Sequence, residues 1–107
     1  MTAMETLEYR FASAPAAQAE TPALCGVVGS GNLEILVTPG DDAQTCAVSV
    51  KTSARGFGDI WQAVLGAFAS GHAAGGTRIA INDMGATPAV VSLRLGQALA
   101  DYQGGAQ

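Results

Sequence analysis

The chain has 107 residues, 49% of them apolar, with a formal net charge of −4 and a pI near 4.6. That length suits one domain with a single modest core. Its five basic residues, Arg10, Lys51, Arg55, Arg78 and Arg94, are scattered. They form no basic patch to neutralise nucleic-acid phosphates, and no apolar stretch approaches the roughly 20 residues of a membrane-spanning helix.

Residues 1 to 10 carry Glu5 and Glu8 and lack a basic start followed by an apolar run. They do not read as a secretory signal, so the chain is expected to be cytoplasmic, with Met4 an alternative start to Met1. Leu7-Glu8-Tyr9-Arg10-Phe11 alternates apolar and polar, the period of a half-buried strand. Ala12 to Ala23 is rich in alanine, holds Pro15 and Pro22 and has no apolar period, so a mobile loop is expected there. Leu24-Cys25-Gly26-Val27-Val28 and Leu33-Glu34-Ile35-Leu36-Val37 read as the two arms of a β-hairpin. Thr38-Pro39-Gly40-Asp41-Asp42 is a turn sequence, and Cys46 to Val50 alternates as another strand.

Lys51 to Gly58 reads as a connection. From Asp59 the period changes: Trp61, Val64, Leu65 and Phe68 fall on one face of a helix, capped at Asp59 or Ser53 and ended at Gly71. Gly66 within it costs about 1 kcal/mol relative to alanine. This aromatic stripe reads as the face that packs on a sheet rather than as a cofactor site. Gly75-Gly76 is a turn, Arg78 to Asn82 a strand, and Asp83 to Ala86 a further turn. Thr87-Pro88 resembles an N-cap followed by proline at the first helical position. Val91, Leu95, Leu99 and Tyr102 then stand at helical spacing, although Val91, Leu93 and Leu95 also alternate as in a strand. The cap favours a helix, ended by Gly104-Gly105 before a disordered tail at 104–107. The order is strands, helix, strand, helix: a single α+β domain with a mostly antiparallel sheet covered on one face by about two helices.

The local feature with most chemical content is Gly29-Ser30-Gly31-Asn32, between the two hairpin arms. Glycine and asparagine tolerate the positive φ of tight turns, so the hairpin would present the Ser30 hydroxyl with no bulky neighbour. No His or acid beside it in sequence supplies an activating base. A phosphate-cradling loop or a nucleophile elbow would lead into a helix, whereas a strand follows here. Cys25 and Cys46 are too far apart for a CxxC pair and read as reduced, strand-borne small hydrophobes. His72, the only histidine, reads as a helix-end residue. Asp41, Asp42 and Asp83 read as solvated turn residues. No catalytic or metal site is expected.

Taken together, Met4-Glu5-Thr6-Leu7, Val28-Gly29-Ser30-Gly31-Asn32-Leu33-Glu34 and Asp83-Met84-Gly85-Ala86-Thr87-Pro88-Ala89-Val90-Val91-Ser92-Leu93-Arg94-Leu95 resemble the acyl carrier (delta) subunit of malonate decarboxylase. The likeness runs from Met4 to about Tyr102, apart from the Ala/Pro loop, and extends more distantly to the acyl carrier (gamma) chain of citrate lyase. The Asp-Ser-Leu signature of fatty-acid carriers is absent, so the helical-bundle carrier fold is not expected.

The resemblance implies a phosphoribosyl-dephospho-coenzyme A arm, bound covalently through a phosphodiester at Ser30, with Gly29, Gly31 and Asn32 supporting the attachment turn. It implies a carrier without catalytic residues of its own, bearing acetyl and malonyl thioesters. The implied partners are an acyl-transferase (alpha) subunit, decarboxylase (beta, gamma) subunits and a prosthetic-group transferase. Asn32 departs from the family, which usually has Asp there. Alternative readings are a citrate-lyase-like carrier, an unmodified scaffold or interaction module, and, most remotely, a small enzyme with Ser30 as nucleophile.

Overall fold

Seven elements follow from these patterns in a computed structural model that describes residues 4–16, 28–30 and 32–103, with the side chains of 28–30 excepted. They are β1 (Glu5–Ala12), β2 (Val28–Ser30), β3 (Leu33–Pro39), β4 (Thr45–Thr52), α1 (Gly58–Gly71), β5 (Thr77–Asp83) and α2 (Pro88–Tyr102). The strands form one sheet in the order β1-β4-β5-β3-β2. Three of its pairs are antiparallel, but β4 and β5 run parallel. That parallel pair follows from α1, since two parallel neighbours need a long crossover to bring the chain back to the starting edge.

Alternation places Ile35 and Val37 of β3, Val48 and Val50 of β4 and Ile79 and Ile81 of β5 on one face, each at most 3% exposed. Both helices cover that face. α1 contributes Trp61, Leu65 and Phe68, and α2 contributes Val91, Leu95, Ala98, Leu99 and Tyr102. Leu7, Tyr9 and Phe11 of β1 pack against the same core. The opposite face carries the other parity, with Glu34, Lys51, Arg78 and Asn82 exposed. The fold is therefore α+β with helices on one side of the sheet, as the element order predicts.

The segment that alternates as a strand from Val91 to Leu95 is helical. Thr87 caps it: its hydroxyl accepts the Val90 N–H at 3.3 Å, and Pro88 follows at the first helical position. The helix ends at Tyr102 with Gln103 as its C-cap. The expected cap of α1 is different. Neither Asp59 nor Ser53 caps it; Phe57 occupies the N-cap position without a side-chain bond. Ser53 is engaged elsewhere, its N–H donating to the Asp83 carbonyl at 3.0 Å, and Asp59 lies inside the first turn. Gly66 faces the Phe11 ring, which a Cβ there would meet in ordinary contact at 3.4 Å.

The stretch expected to be a mobile loop from residue 12 is anchored where it begins. Ala12 still belongs to β1, and Ser13 is buried. The Ser13 hydroxyl lies 2.8 Å from the Ala69 carbonyl and 2.9 Å from that of His72, and it accepts the Ala74 N–H at 3.0 Å. This ties the last turn of α1 to the end of β1. Pro15 bridges to Gly75, with Gly75 N–H donating to the Ala14 carbonyl and Ala16 N–H to the Gly75 carbonyl. The remainder of that loop, the first part of the first hairpin arm including Cys25, and the 104–107 tail lie outside the described residues.

Gly75 is wedged where the chain leaves no room: a Cβ would collide with the carbonyl oxygens of Ser13 and Ala43. Gly75→Ala should lower stability by about 1–3 kcal/mol, because backbone would have to move. Gly71→Ala, which meets nothing, should be neutral or stabilising by up to about 1 kcal/mol. Thermal unfolding of both variants checks the contrast.

Candidate functional site at the hairpin end of the sheet

Ser30 is the last residue of β2, directly opposite Leu33, so two residues join the arms. Leu33 pairs with Asp83, Asp83 with Thr52 and Thr52 with Glu5. Ser30, Leu33, Asp83, Thr52 and Glu5 thus form one end of the sheet. Gly29 lies within β2 opposite Glu34, Asn32 is exposed, and Gly31 lies outside the described residues. The turn is held from below, since the Asn32 carbonyl accepts the Met84 N–H at 2.9 Å.

Asp83 does not behave as a solvated turn residue; it is 2% exposed. The correction follows from parity: after Ile79 and Ile81, the next inward position of β5 is Asp83. A buried carboxylate must be hydrogen-bonded to be tolerated, and this one is. Oδ2 accepts the Thr52 hydroxyl at 2.8 Å, while Oδ1 accepts the N–H groups of Gly85 at 3.2 Å and Ala86 at 2.8 Å. Thr52 is also buried, and its Oγ1 accepts the Ala54 N–H at 3.0 Å. One carboxylate therefore fixes both loops that lead into the helices. The parity of β4 and β5 was the available sequence signal for this pair; the surrounding turn residues masked it.

Both helices begin at this end, α1 after β4 and α2 after β5, so their positive dipole ends share it with the hairpin. Between their first turns lies a cleft of about 310 Å³ lined chiefly by Phe57, Ile60, Trp61, Val64, Ala86 and Val91. The aromatic stripe of α1 is mainly core, as expected, but its first turns also face this cleft. Met84, in the loop that supports the hairpin turn, is 59% exposed.

The other candidate residues lie elsewhere. His72 is the C-cap of α1, stacked on Phe68, with its Nδ1 3.1 Å from the Phe68 carbonyl. A helix of 14 residues separates it from the hairpin end by roughly 20 Å. Asp42 accepts the Gln44 N–H, and Asp41 pairs with Arg78 at 3.0 Å in an exposed ion pair, both at the opposite end of the sheet. Cys46 is a free, buried thiol near that end, accepting the Thr77 hydroxyl at 3.5 Å. Burial pushes its pKa up, and the Thr77 hydrogen bond opposes this. Tyr9, whose hydroxyl donates to the Gly58 carbonyl at 2.8 Å, is likewise raised, first by burial and then by Asp59 and Glu5. No described helix is long and apolar enough to cross a membrane.

This sheet-and-two-helix fold has counterparts among known proteins. A family model, Malonate decarboxylase delta subunit (MdcD), matches residues 20–102. The chain is 52% identical to the malonate decarboxylase acyl carrier protein of Acinetobacter calcoaceticus, over 94% of this chain and 99% of the relative. It is 55% identical to that of Burkholderia cepacia, over 94% and 92%. Among solved structures it is similar to a chain in the crystal structure of a Pseudomonas malonate decarboxylase hetero-tetramer in complex with malonate. That likeness has a TM-score of 0.74 and 34% identity, and covers 90% of this chain and 96% of the other. The fold is that of an acyl carrier subunit outside the helical-bundle class. The chain belongs to the malonate decarboxylase delta subunit family.

Two outcomes follow from the site geometry. Asp83→Ala, leaving the Thr52 hydroxyl and two N–H groups without their acceptor, should cost about 3 kcal/mol by chemical denaturation. Asp83→Asn, which keeps one carbonyl acceptor, should cost less. In a Cys25→Ser background, Cys46 should resist alkylation. A folded-state pKa above its ordinary value of 9.0 keeps the thiol protonated, so reaction should appear only at higher pH or on unfolding. The sign for stability follows: the contribution is present below the unfolded thiol pKa and is lost as pH rises through the folded one. Intact mass after timed iodoacetamide treatment reads the result.

Proposed function

We propose that this chain is the non-catalytic carrier of a malonate decarboxylase complex, with Ser30 as the covalent attachment point of a phosphoribosyl-dephospho-coenzyme A arm. The observation that carries this reading is the position of Ser30. It ends an edge strand beside a turn that the Met84 N–H holds from beneath, opposite Leu33, which pairs with Asp83, within the span matched by the family. A serine hydroxyl on such a turn has the right donor atom for a phosphodiester. The arm's negative charge would lie at the end of the sheet where both helices start, the favourable end of each dipole.

Bound there, the group would supply a thiol, and a malonyl thioester offers a carbonyl that accepts electrons on loss of carbon dioxide far better than a second free carboxylate does. The chain's own part is positional. Ser30 holds one end of the tether, which makes delivery to partner sites effectively intramolecular. Gly29 and Gly31 leave room for the loading enzyme, a prosthetic-group transferase. The lone histidine, at the far end of α1, is out of reach as a base for Ser30, which agrees with acyl transfer and decarboxylation belonging to the alpha, beta and gamma subunits. Asn32 keeps the small polar shape of the family's usual Asp without its charge, and loading is retained on this reading.

Intact mass is the test. Co-expressed with the enzymes that make and transfer the arm, wild-type chain should gain its mass and Ser30→Ala should not. A full gain by Ser30→Ala would sink the assignment. Gly29→Val and Gly31→Val should load several-fold more slowly with unchanged melting temperature; normal loading of the double variant would remove the glycines from the argument.

A further inference from the structure

The cleft between the first turns of α1 and α2 plays no part in attachment at Ser30, yet it opens at the same end of the sheet. Its volume of about 310 Å³ is at the small end for ligand sites. Its walls are almost wholly apolar, and no Lys, Arg or His is among the described residues lining it. The one charged residue of the lining is Asp83. Phe57 and Ile60 stand 46% and 47% exposed in its wall, an unfavourable arrangement in water unless something apolar covers them. Ser30 and Asp83 are separated by the single strand β3, so their backbones are about 10 Å apart, two strand spacings. A tether that serves several subunits spans that distance easily.

We infer that this cleft shelters the acyl end of the arm when the acyl group is acetyl and rejects it when the group is malonyl. The inference rests on the attachment proposed at Ser30. An acetyl methyl removed from water into these walls gains the ordinary hydrophobic increment. A malonyl group brings a second carboxylate, for which the described lining offers no Lys, Arg or His. The two helix starts attract an anion only weakly through their dipoles, less than burying a charge without an ion-pair partner costs, and the one charged side chain of the described lining, Asp83, has the same sign. The carrier therefore distinguishes its two loads by charge. The acetyl thioester is kept from water between turns, and the malonyl thioester stays outside, presented to the subunits that decarboxylate it.

The test uses the loaded chain, with the arm at Ser30 verified by intact mass, prepared in acetyl and malonyl forms. Trp61 is the only tryptophan, so its indole N–H is a single resonance. With a ¹³C-labelled acetyl group, NOEs should appear from the acetyl methyl to Trp61 and to the Val64 and Val91 methyls, and the indole resonance should move relative to the apo chain. The malonyl form should leave that resonance at its apo position. Hydroxylamine should cleave the acetyl thioester about fourfold more slowly than acetyl-coenzyme A, the factor that burial of one methyl-sized group supplies. Ala86→Phe, which fills the cleft, should abolish that protection without changing the mass gained on loading. Absence of these NOEs in the loaded acetyl form, or equal Trp61 shifts in the acetyl and malonyl forms, overturns the inference. Absence of the mass gain instead removes the attachment at Ser30, and the inference with it.

Discussion

The carboxylate of Asp83 joins parts of this fold that are distant in sequence and must meet for the hairpin end to exist. It closes β5 beneath Leu33, accepts a hydroxyl proton from Thr52 of β4, and caps the turn that starts α2 through two backbone N–H groups. Asymmetry makes such a group decisive. A satisfied buried hydrogen bond adds little net stability, whereas an orphaned one costs the full desolvation of its partner. Here three donors depend on two oxygens of one side chain. The loop into α1 is held indirectly, through Thr52 and through the Ser53 N–H on the Asp83 carbonyl.

The far end of the sheet repeats the device with a neutral group. Ser13 ties the C-terminal turn of α1 to the end of β1, and the glycine at position 75 allows backbone to approach backbone. α1 is therefore fixed at its start through the Asp83 loops and at its end through Ser13. Between these anchors the core is a single apolar layer between one sheet face and two helices. A chain of this length can build one such layer and little more. The other sheet face is correspondingly left mostly to polar and small residues, with Leu36 among them.

Rigidity at the base and exposure at the tip suit a subunit whose work is to present something. On the proposed reading a carrier gains nothing from a histidine near Ser30, since an internal base would endanger a phosphodiester or thioester held there. It gains from a hairpin that does not wander, because an uncertain pivot dilutes the advantage of tethering. The apolar cleft at the same end adds, on the inference drawn above, a second property, a local environment that treats neutral and charged cargo differently. Both properties depend on the loops after β4 and β5, which Asp83 holds.

Much of this was legible in the chain. The alternation of Leu33, Ile35 and Val37, and of Ile79 and Ile81, specified strands and their inward faces, because side-chain direction in a strand repeats every two residues. The Thr87-Pro88 cap resolved the ambiguous Val91–Leu95 stretch as helix, because a side-chain acceptor for the first N–H groups is a local feature. Asp83 was misread because its neighbours Met84, Gly85 and Ala86 compose a turn, and turns are usually wet; only the adjacent Thr52 and the overlying helix starts bury it. The α1 cap failed for the same reason, since Ser53 was already bound to a strand not adjacent in sequence. By itself the sequence determined the elements, their inward faces and the hairpin that carries Ser30, all set by periods and backbone preferences within a few residues. Tertiary structure alone decided that β4 and β5 lie parallel, that a threonine and an aspartate 31 positions apart share a buried hydrogen bond, and that a cleft opens beside the hairpin. Strand order is chosen by how whole faces pack, and no local window contains that information.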